Sequence, residues 1–210
     1  LDFDGVDDYV DCGVSTWLDN SDTITISAWV KPAGTGTMDI VRRMDGASAD
    51  FYLWISPSLN RIDWFVGNNG ARTTSVTLNV GQWYHIFACY DKNLNDGTDL
   101  NLYLDGVSVA TANGGGDTLT GVESMTIGEN HYSSYGNIDE VAVWKTDQRS
   151  EVANVYNSGT PTDLKELTTP PDVWYRMGDG ASFPNIPDEV GANPGVMTNM
   201  IAGDIVPVVP

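Results

Sequence analysis

The chain has 210 residues, 41% of them hydrophobic, with 22 glycines and 10 prolines. That suffices for a sizeable core and excludes wholesale disorder. The formal net charge of -19 and a pI ≈ 4.1 exclude nucleic acid and anionic membranes, which demand a basic patch, and no apolar run is long enough for membrane insertion.

Short β-type runs follow one another, separated by Gly, Asn, Asp and Ser clusters. The first strands are expected at Tyr9–Cys12, at Thr23–Lys31 (which alternates cleanly and stops at Pro32), at Met38–Met44, Phe51–Ile55, Arg61–Val66 and Thr73–Leu78. Gln82–Asp91 is apolar on both faces and reads as central. Asp99–Leu104 and Val107–Ala110 form a hairpin across Asp105-Gly106, a type I′ turn signal. Ser124–Gly128 and Ile138–Trp144 complete the set. One short helix is expected after Ser150, with Val152, Val155 and Tyr156 on one face and Gly159 ending it. Many antiparallel strands and one helix imply an all-β fold, a two-sheet jelly-roll sandwich.

Asp163–Pro171 is a polar joint, dividing a main domain (1–164) from an extension (165–210). The extension offers strands at Val173–Met177, Gly195–Thr198 and Ile205–Val209. It is too small to build its own core. It must pack on the main domain or on another chain. Cys12 and Cys89 leave a disulfide and two buried thiols equally open. His85 and His131 stand alone, without zinc spacing. The chain begins at Leu1 rather than Met, which reads as a mature or excised piece.

In Gly136–Trp144 (GNIDEVAVW), strict alternation sets Asp139, Val141 and Val143 on one face and Ile138, Glu140, Ala142 and Trp144 on the other. On that reading Asp139 and Glu140 cannot act as a pair on one substrate. A buried carboxylate needs a partner. A metal ion is one solution, and a backbone-capping Asp is the plainer one.

The ordered blocks LDFDGVDDYV, TITISAWVKP, GQWYHIFACYD, LNLYLDGV, SMTIG, IDEVAVW and SEVANVYNSG resemble the laminin-G-like jelly-roll domains of the concanavalin A-like lectin/glucanase superfamily. The resemblance covers Leu1–Leu164. It implies two curved antiparallel sheets, often with a structural Ca²⁺ at the rim, held here by Asp139 and Asp4. It further implies a carbohydrate- or protein-binding module of a secreted, cell-surface or virion-surface protein. One departure stands out. The family's opening strand is matched at the far end of this chain, by Trp174–Gly178 and then Asp188–Gly195. That tail supplies the first strand late, begins another repeat, or completes a neighbour's sheet by strand addition, which would make residues 172–210 the joint of a homo-oligomer or filament.

Sugar sites stack exposed aromatics and bind hydroxyls with polar side chains. Phe51, Leu53 and Ile55 read as core, which throws Tyr52 and Trp54 to the opposite face. With Arg72, His131 and Tyr132 from polar loops, these are the candidate glycan ligands. Trp29, Trp64, Trp83 and Trp144 read as core. Asp91–Asp99 has the glycine of an EF-hand loop one place late, at Gly97, and Leu102 where the bidentate glutamate should be, so it reads as an Asx-rich hairpin loop. No ExDxxE triplet, GxSxG, HExxH or P-loop is present. The expected function is therefore a non-catalytic glycan-binding or adhesion module, with a structural subunit of a surface assembly as the alternative and a polysaccharide-degrading enzyme behind both.

Overall fold

The computed structural model describes residues 1–45, 48–73, 76–94, 96–121, 123–128, 134–207 and 210. Fifteen strands lie among them: β1 (Asp2–Asp4), β2 (Tyr9–Val14), β3 (Thr23–Pro32), β4 (Met38–Asp45), β5 (Ser48–Ser56), β6 (Arg61–Val66), β7 (Asn69–Arg72), β8 (Tyr84–Asp91), β9 (Leu100–Leu104), β10 (Val107–Ala112), β11 (Ser124–Ile127), β12 (Tyr135–Trp144), β13 (Val173–Tyr175), β14 (Asn185–Ile186) and β15 (Gly195–Thr198), with one helix, α1 (Val152–Tyr156). The first sheet runs β1-β12-β3-β8-β9-β10, with β13 also on β12. The second runs β14-β15-β2-β11-β4-β5-β6-β7. All pairings are antiparallel. This is the two-sheet jelly-roll sandwich with one short helix.

Alternation fills the space between the sheets. Ile24, Ile26, Ala28, Val30, Ile86 and Ala88 of the first sheet meet Phe51, Leu53, Ile55, Ile62, Trp64 and Val66 of the second. A second apolar layer, of Phe87, Cys89, Ala142, Trp144, Val155, Leu164 and Trp174, covers the outer side of the first sheet beneath α1. That side is closed; among the described residues no such apolar layer lies over the outer side of the second sheet. Cys12 belongs to the interior and Cys89 to the outer layer, and both are free thiols. Trp29, Trp64 and Trp144 are buried as expected, whereas Trp83 is half-buried with Lys31 over its ring. Asp105 and Gly106 both have positive φ, 49° and 78°, as a type I′ turn requires.

Three expectations from the sequence change. The described part of Thr73–Leu78 is not a strand, and the neighbouring strand is Asn69–Arg72 instead. Ile205–Pro207 is irregular. The strict alternation of β12 is broken, because Asp139 pairs with Trp29 but Ala142 with Ser27, which leaves one extra residue on β12. That bulge carries Glu140 at φ 50°. Ile138 consequently shares the interior face with Val141 and Val143, and Asp139 and Glu140 both turn outward rather than to opposite faces.

The tail is used within its own chain. β1 pairs with Asn137–Tyr135 and β13 with Val141–Val143, end to end along the same edge of β12. β15 pairs with β2 in the second sheet. Asp188 accepts from the backbone N–H groups of Trp174, Val190 and Asn193 and so organises the intervening loop. A Cβ on Gly191 would lie 2.4 Å from the Asp188 carboxylate, so only glycine fits there.

Arg43 points into the interior with no exposed side-chain surface. It pairs with Asp50 at 2.7 Å and with the partly exposed Asp19 at 3.1 Å, and donates to the Ser15 carbonyl oxygen at 2.7 Å. Removing Asp50 leaves the buried guanidinium with only the partly exposed carboxylate. Asp50→Asn should therefore destabilise in urea unfolding, by less than the ~3–5 kcal/mol of a fully unpaired buried charge. A cost near zero would mean that Asp19 alone holds Arg43.

His85 is fully buried between Trp29 and Tyr156, at ring separations of 5.0 and 5.7 Å, and shares a 2.9 Å hydrogen bond with the Ser27 hydroxyl. Burial drops its pKa from 6.5 to about 3. Below pH 6.5 the unfolded chain takes up a proton that the folded chain refuses, so this residue lowers stability by about 1.4 kcal/mol per unit as pH falls. Asp139 acts in the opposite sense. Burial raises its carboxyl from 3.8 to about 7 against the pull of the Leu1 ammonium, so its contribution is lost as pH rises through that range. Denaturation between about pH 4 and pH 6 should show a steeper fall of stability on acidification for Asp139→Asn than for the parent chain. Equal slopes would mean that Asp139 is ionised in the folded state throughout.

Candidate functional site

The open outer side of the second sheet is built by register. Directly opposed residues of antiparallel strands point to one face. Asp11 faces Thr126, Thr126 faces Arg42, Arg42 faces Tyr52, Tyr52 faces Phe65 and Phe65 faces Gly70. At about 4.8 Å per strand, the row from Asp11 to Phe65 is about 19 Å long. The next row sets Asp39, Trp54, Asp63 and Arg72 side by side.

The aromatic end of the face is tightly ordered. Tyr52 and Phe65 stack at 4.8 Å with 10° between their planes. Phe65 lies against the bare backbone of Gly70, where a Cβ would come within 2.5 Å of the ring. Glycine there lets the ring lie flat on the edge strand. Arg72 sits over Phe65 at 5.4 Å and Arg61 over Trp54 at 4.6 Å, both within cation–π range. Both arginines converge on Asp63, Arg72 at 2.6 Å and Arg61 at 3.2 Å. Asp63 has no exposed side-chain surface. Burial pushes its carboxyl above the ordinary range, against the pull of the two guanidinium groups. Arg42 pairs with Asp39 at 3.7 Å. At the other end Tyr9, Asp11, Val14, Met44, Glu123, Ser124 and Thr126 line a shallow cleft of about 430 Å³.

Tyr52, Trp54 and Arg72 thus stand on one face. Trp54 is only 8% exposed and has Arg61 over its ring, so it supports that arginine rather than offering a bare ring. His131 and Tyr132 lie outside the described residues. Phe65, Arg61 and Asp63 join the site without having been singled out. Alternation in Arg61–Val66 puts them opposite the core residues, but only the hairpin register brings them beside Tyr52 and Trp54.

Asp4 and Asp139 do not converge on one ion. Asp4 pairs with Tyr135, which sets it four residues, or about 13 Å along the strand, from Asp139. Asp139 accepts from the Glu140 N–H at 3.0 Å. Asp4 instead gathers with Asp7 and Asp8, their carboxylate oxygens within 4.8 Å of one another. Two of these oxygens already accept from backbone N–H groups within the loop. This is a hard-oxygen donor set of the kind Ca²⁺ takes, and it lacks the Asp139 ligand.

Glu140 is also engaged. It accepts from Trp174 Nε1 at 2.8 Å and from Arg176 Nε at 3.2 Å, beside a recess of about 150 Å³ bounded by Pro161, Thr162, Asp163 and Lys165.

Sequence search against curated proteins finds no significant match. Among solved structures, a putative carbohydrate binding protein from Bacteroides ovatus superposes with a TM-score of 0.70 at 15% identity, covering 94% of this chain and 58% of that one. A heptameric SAP-like pentraxin from Limulus polyphemus superposes at 0.64 and 16% identity, covering 93% of each chain. A Ruminococcus gnavus IT-sialidase CBM40, solved bound to α2,3 sialyllactose, superposes at 0.56 and 14% identity, covering 74% of this chain and 98% of that one. At these identities the likeness is one of fold. The laminin-G-type family profile described as the concanavalin A-like lectin/glucanases superfamily matches residues 4–151. With two jelly-roll sheets, one helix and that match over most of its length, the chain belongs to the concanavalin A-like lectin/glucanase superfamily.

Proposed function

We propose that this protein is a non-catalytic carbohydrate-binding module, and that it takes its glycan along the outer face of the second sheet. The observation that carries this reading is the cross-strand row ending in the Tyr52–Phe65 stack and Arg72, on a broad sheet face over which the described residues place no apolar layer. Aromatic rings offer apolar faces to sugar C–H groups, and flanking Asp, Thr and Arg side chains meet hydroxyls. The binding modules among its structural neighbours support the reading. The carboxylates at the aromatic end, Asp39 and Asp63, are tied into ion pairs with arginines. They do not form a pair across a bond to be cleaved, as glycoside hydrolysis requires. An extracellular or surface setting goes with this reading, as does a structural Ca²⁺ at Asp4, Asp7 and Asp8. Because Val173–Tyr175 pairs within its own chain, assembly by strand exchange gains no support.

Glycan-array screening followed by calorimetry tests the reading. Tyr52→Ala should weaken binding at least about tenfold, or about 1.4 kcal/mol, with the melting temperature little changed. Full affinity in that variant would move the site off this face. Ca²⁺ should raise the melting temperature over a chelated sample, and Asp8→Asn should abolish the rise. Identical melting with and without Ca²⁺ would remove the ion from the proposal.

A further inference from the structure

The arginine cluster goes further than a generic sugar site. One buried carboxylate needs one cation. Asp63 has two: Arg72, which donates to it from Nε at 2.6 Å, and Arg61, in ion-pair contact at 3.2 Å. Among the described residues, two guanidinium groups on the one carboxylate of Asp63 leave one positive charge in excess there, in a protein of net charge -19. A structural ion pair would not need the second arginine. Nor does solubility account for it, since acids supply that over the rest of the surface.

The geometry also aims the charge outward. Arg72 uses Nε on Asp63 and keeps 46% of its side chain exposed; Arg61 is 25% exposed. Their remaining N–H donors have no recorded protein partner among the described residues. Phe65 and Trp54 hold the two guanidinium planes from beneath, so little rotamer freedom is lost when an anion docks. A planar carboxylate matches the fork of a guanidinium edge. The Tyr52–Phe65 stack lies alongside, in the next row.

We infer that the glycan bound on this face is acidic, and that Arg72 and Arg61 receive a single sugar carboxylate, of a uronate or a sialic acid, next to a ring seated at Tyr52 and Phe65. This rests on the glycan-binding reading above. The excess of only one charge, within an acidic protein, favours isolated carboxylates over densely sulfated or phosphorylated polyanions, which the overall field repels.

The experiment pairs acidic probes with neutral counterparts. Oligogalacturonate is measured against its carboxyl-reduced form, and sialyllactose against lactose, by calorimetry on the full chain. Either acidic probe should bind at least about tenfold more tightly than its neutral counterpart, the strength of a charge-assisted hydrogen bond. The acid that wins names the source of the carboxylate. Arg72→Gln should bring the affinity for the acidic probe down to that for its neutral counterpart, both measured on the same variant. As a check independent of any substitution, salt should weaken binding of the acid and leave the neutral sugar alone. Neutral and acidic probes bound equally, or acid binding unchanged in Arg72→Gln, overturn the carboxylate inference and leave the glycan-binding reading standing. Binding of none of the four probes, and of nothing on a glycan array, overturns both.

Discussion

A non-glycine residue held at positive φ in the middle of a strand costs on the order of 1–3 kcal/mol and persists only where its surroundings fix it. β12 carries such a residue at Glu140, and the arrangement of the fold turns on it. The edge of β12 is supplied by two separate segments, β1 from the start of the chain and β13 from the tail. The bulge falls in the gap between them. Its two acids face outward there, Asp139 beside the Leu1 end of β1 and Glu140 bonded to Trp174 and Arg176 around β13. The strain is thus spent on tying a late segment into the first sheet. Burying Glu140 is tolerable because both its oxygens accept hydrogen bonds, one of them from a guanidinium.

From that docking follows the asymmetry of the sandwich. With β13 seated, Trp174 lies in the same outer layer as Trp144, Val155 and Leu164, and the outer side of the first sheet closes under α1. His85 is sealed in with it, neutral and stacked. The recess at Glu140 on the closed side is small, and that acid is already bonded. The outer residues of the second sheet alternate with core residues, and among the described residues no apolar layer lies over them. The tail extends this sheet too, through β15 and β14, so the same late segment closes one face and lengthens the other.

How much of this was legible in the sequence depends on whether a feature is local. Thr23–Lys31, Arg61–Val66 and the Asp105-Gly106 turn were readable because alternation and turn chemistry are short-range. The outward placing of Tyr52 followed from Phe51, Leu53 and Ile55 alone. The bulge was not legible: G-N-I-D-E-V-A-V-W alternates well enough to hide an extra residue, and strict period two then sent Asp139 and Glu140 to opposite faces. Nor could the sequence show that Asp4 pairs with Tyr135 and so stands away from Asp139, since register is a long-range fact. Asn69–Arg72, with glycine in the strand, carries no strand signal of its own. It is held by β6 and by Phe65 lying on it. Phe65 and Arg61 had the right parity, yet nothing local said which strand would lie beside them.

The candidate site then follows from a conflict between composition and location. A chain this acidic has few basic residues to place, and the buried carboxylate of Asp63 needs one arginine for its charge, yet two converge on it. The arrangement at Asp63 explains itself better as preorganisation. The buried carboxylate holds Arg72 by a hydrogen bond and Arg61 by an ion-pair contact, the rings of Trp54 and Phe65 lie against their guanidinium groups, and Gly70 makes room for Phe65. Each part constrains the next, and the outer edges of the arginines are what remains unspent. A sandwich that keeps one face closed with its own tail, and orders cations and aromatics on the other, has directed its scarce positive charge to the surface where a ligand can meet it.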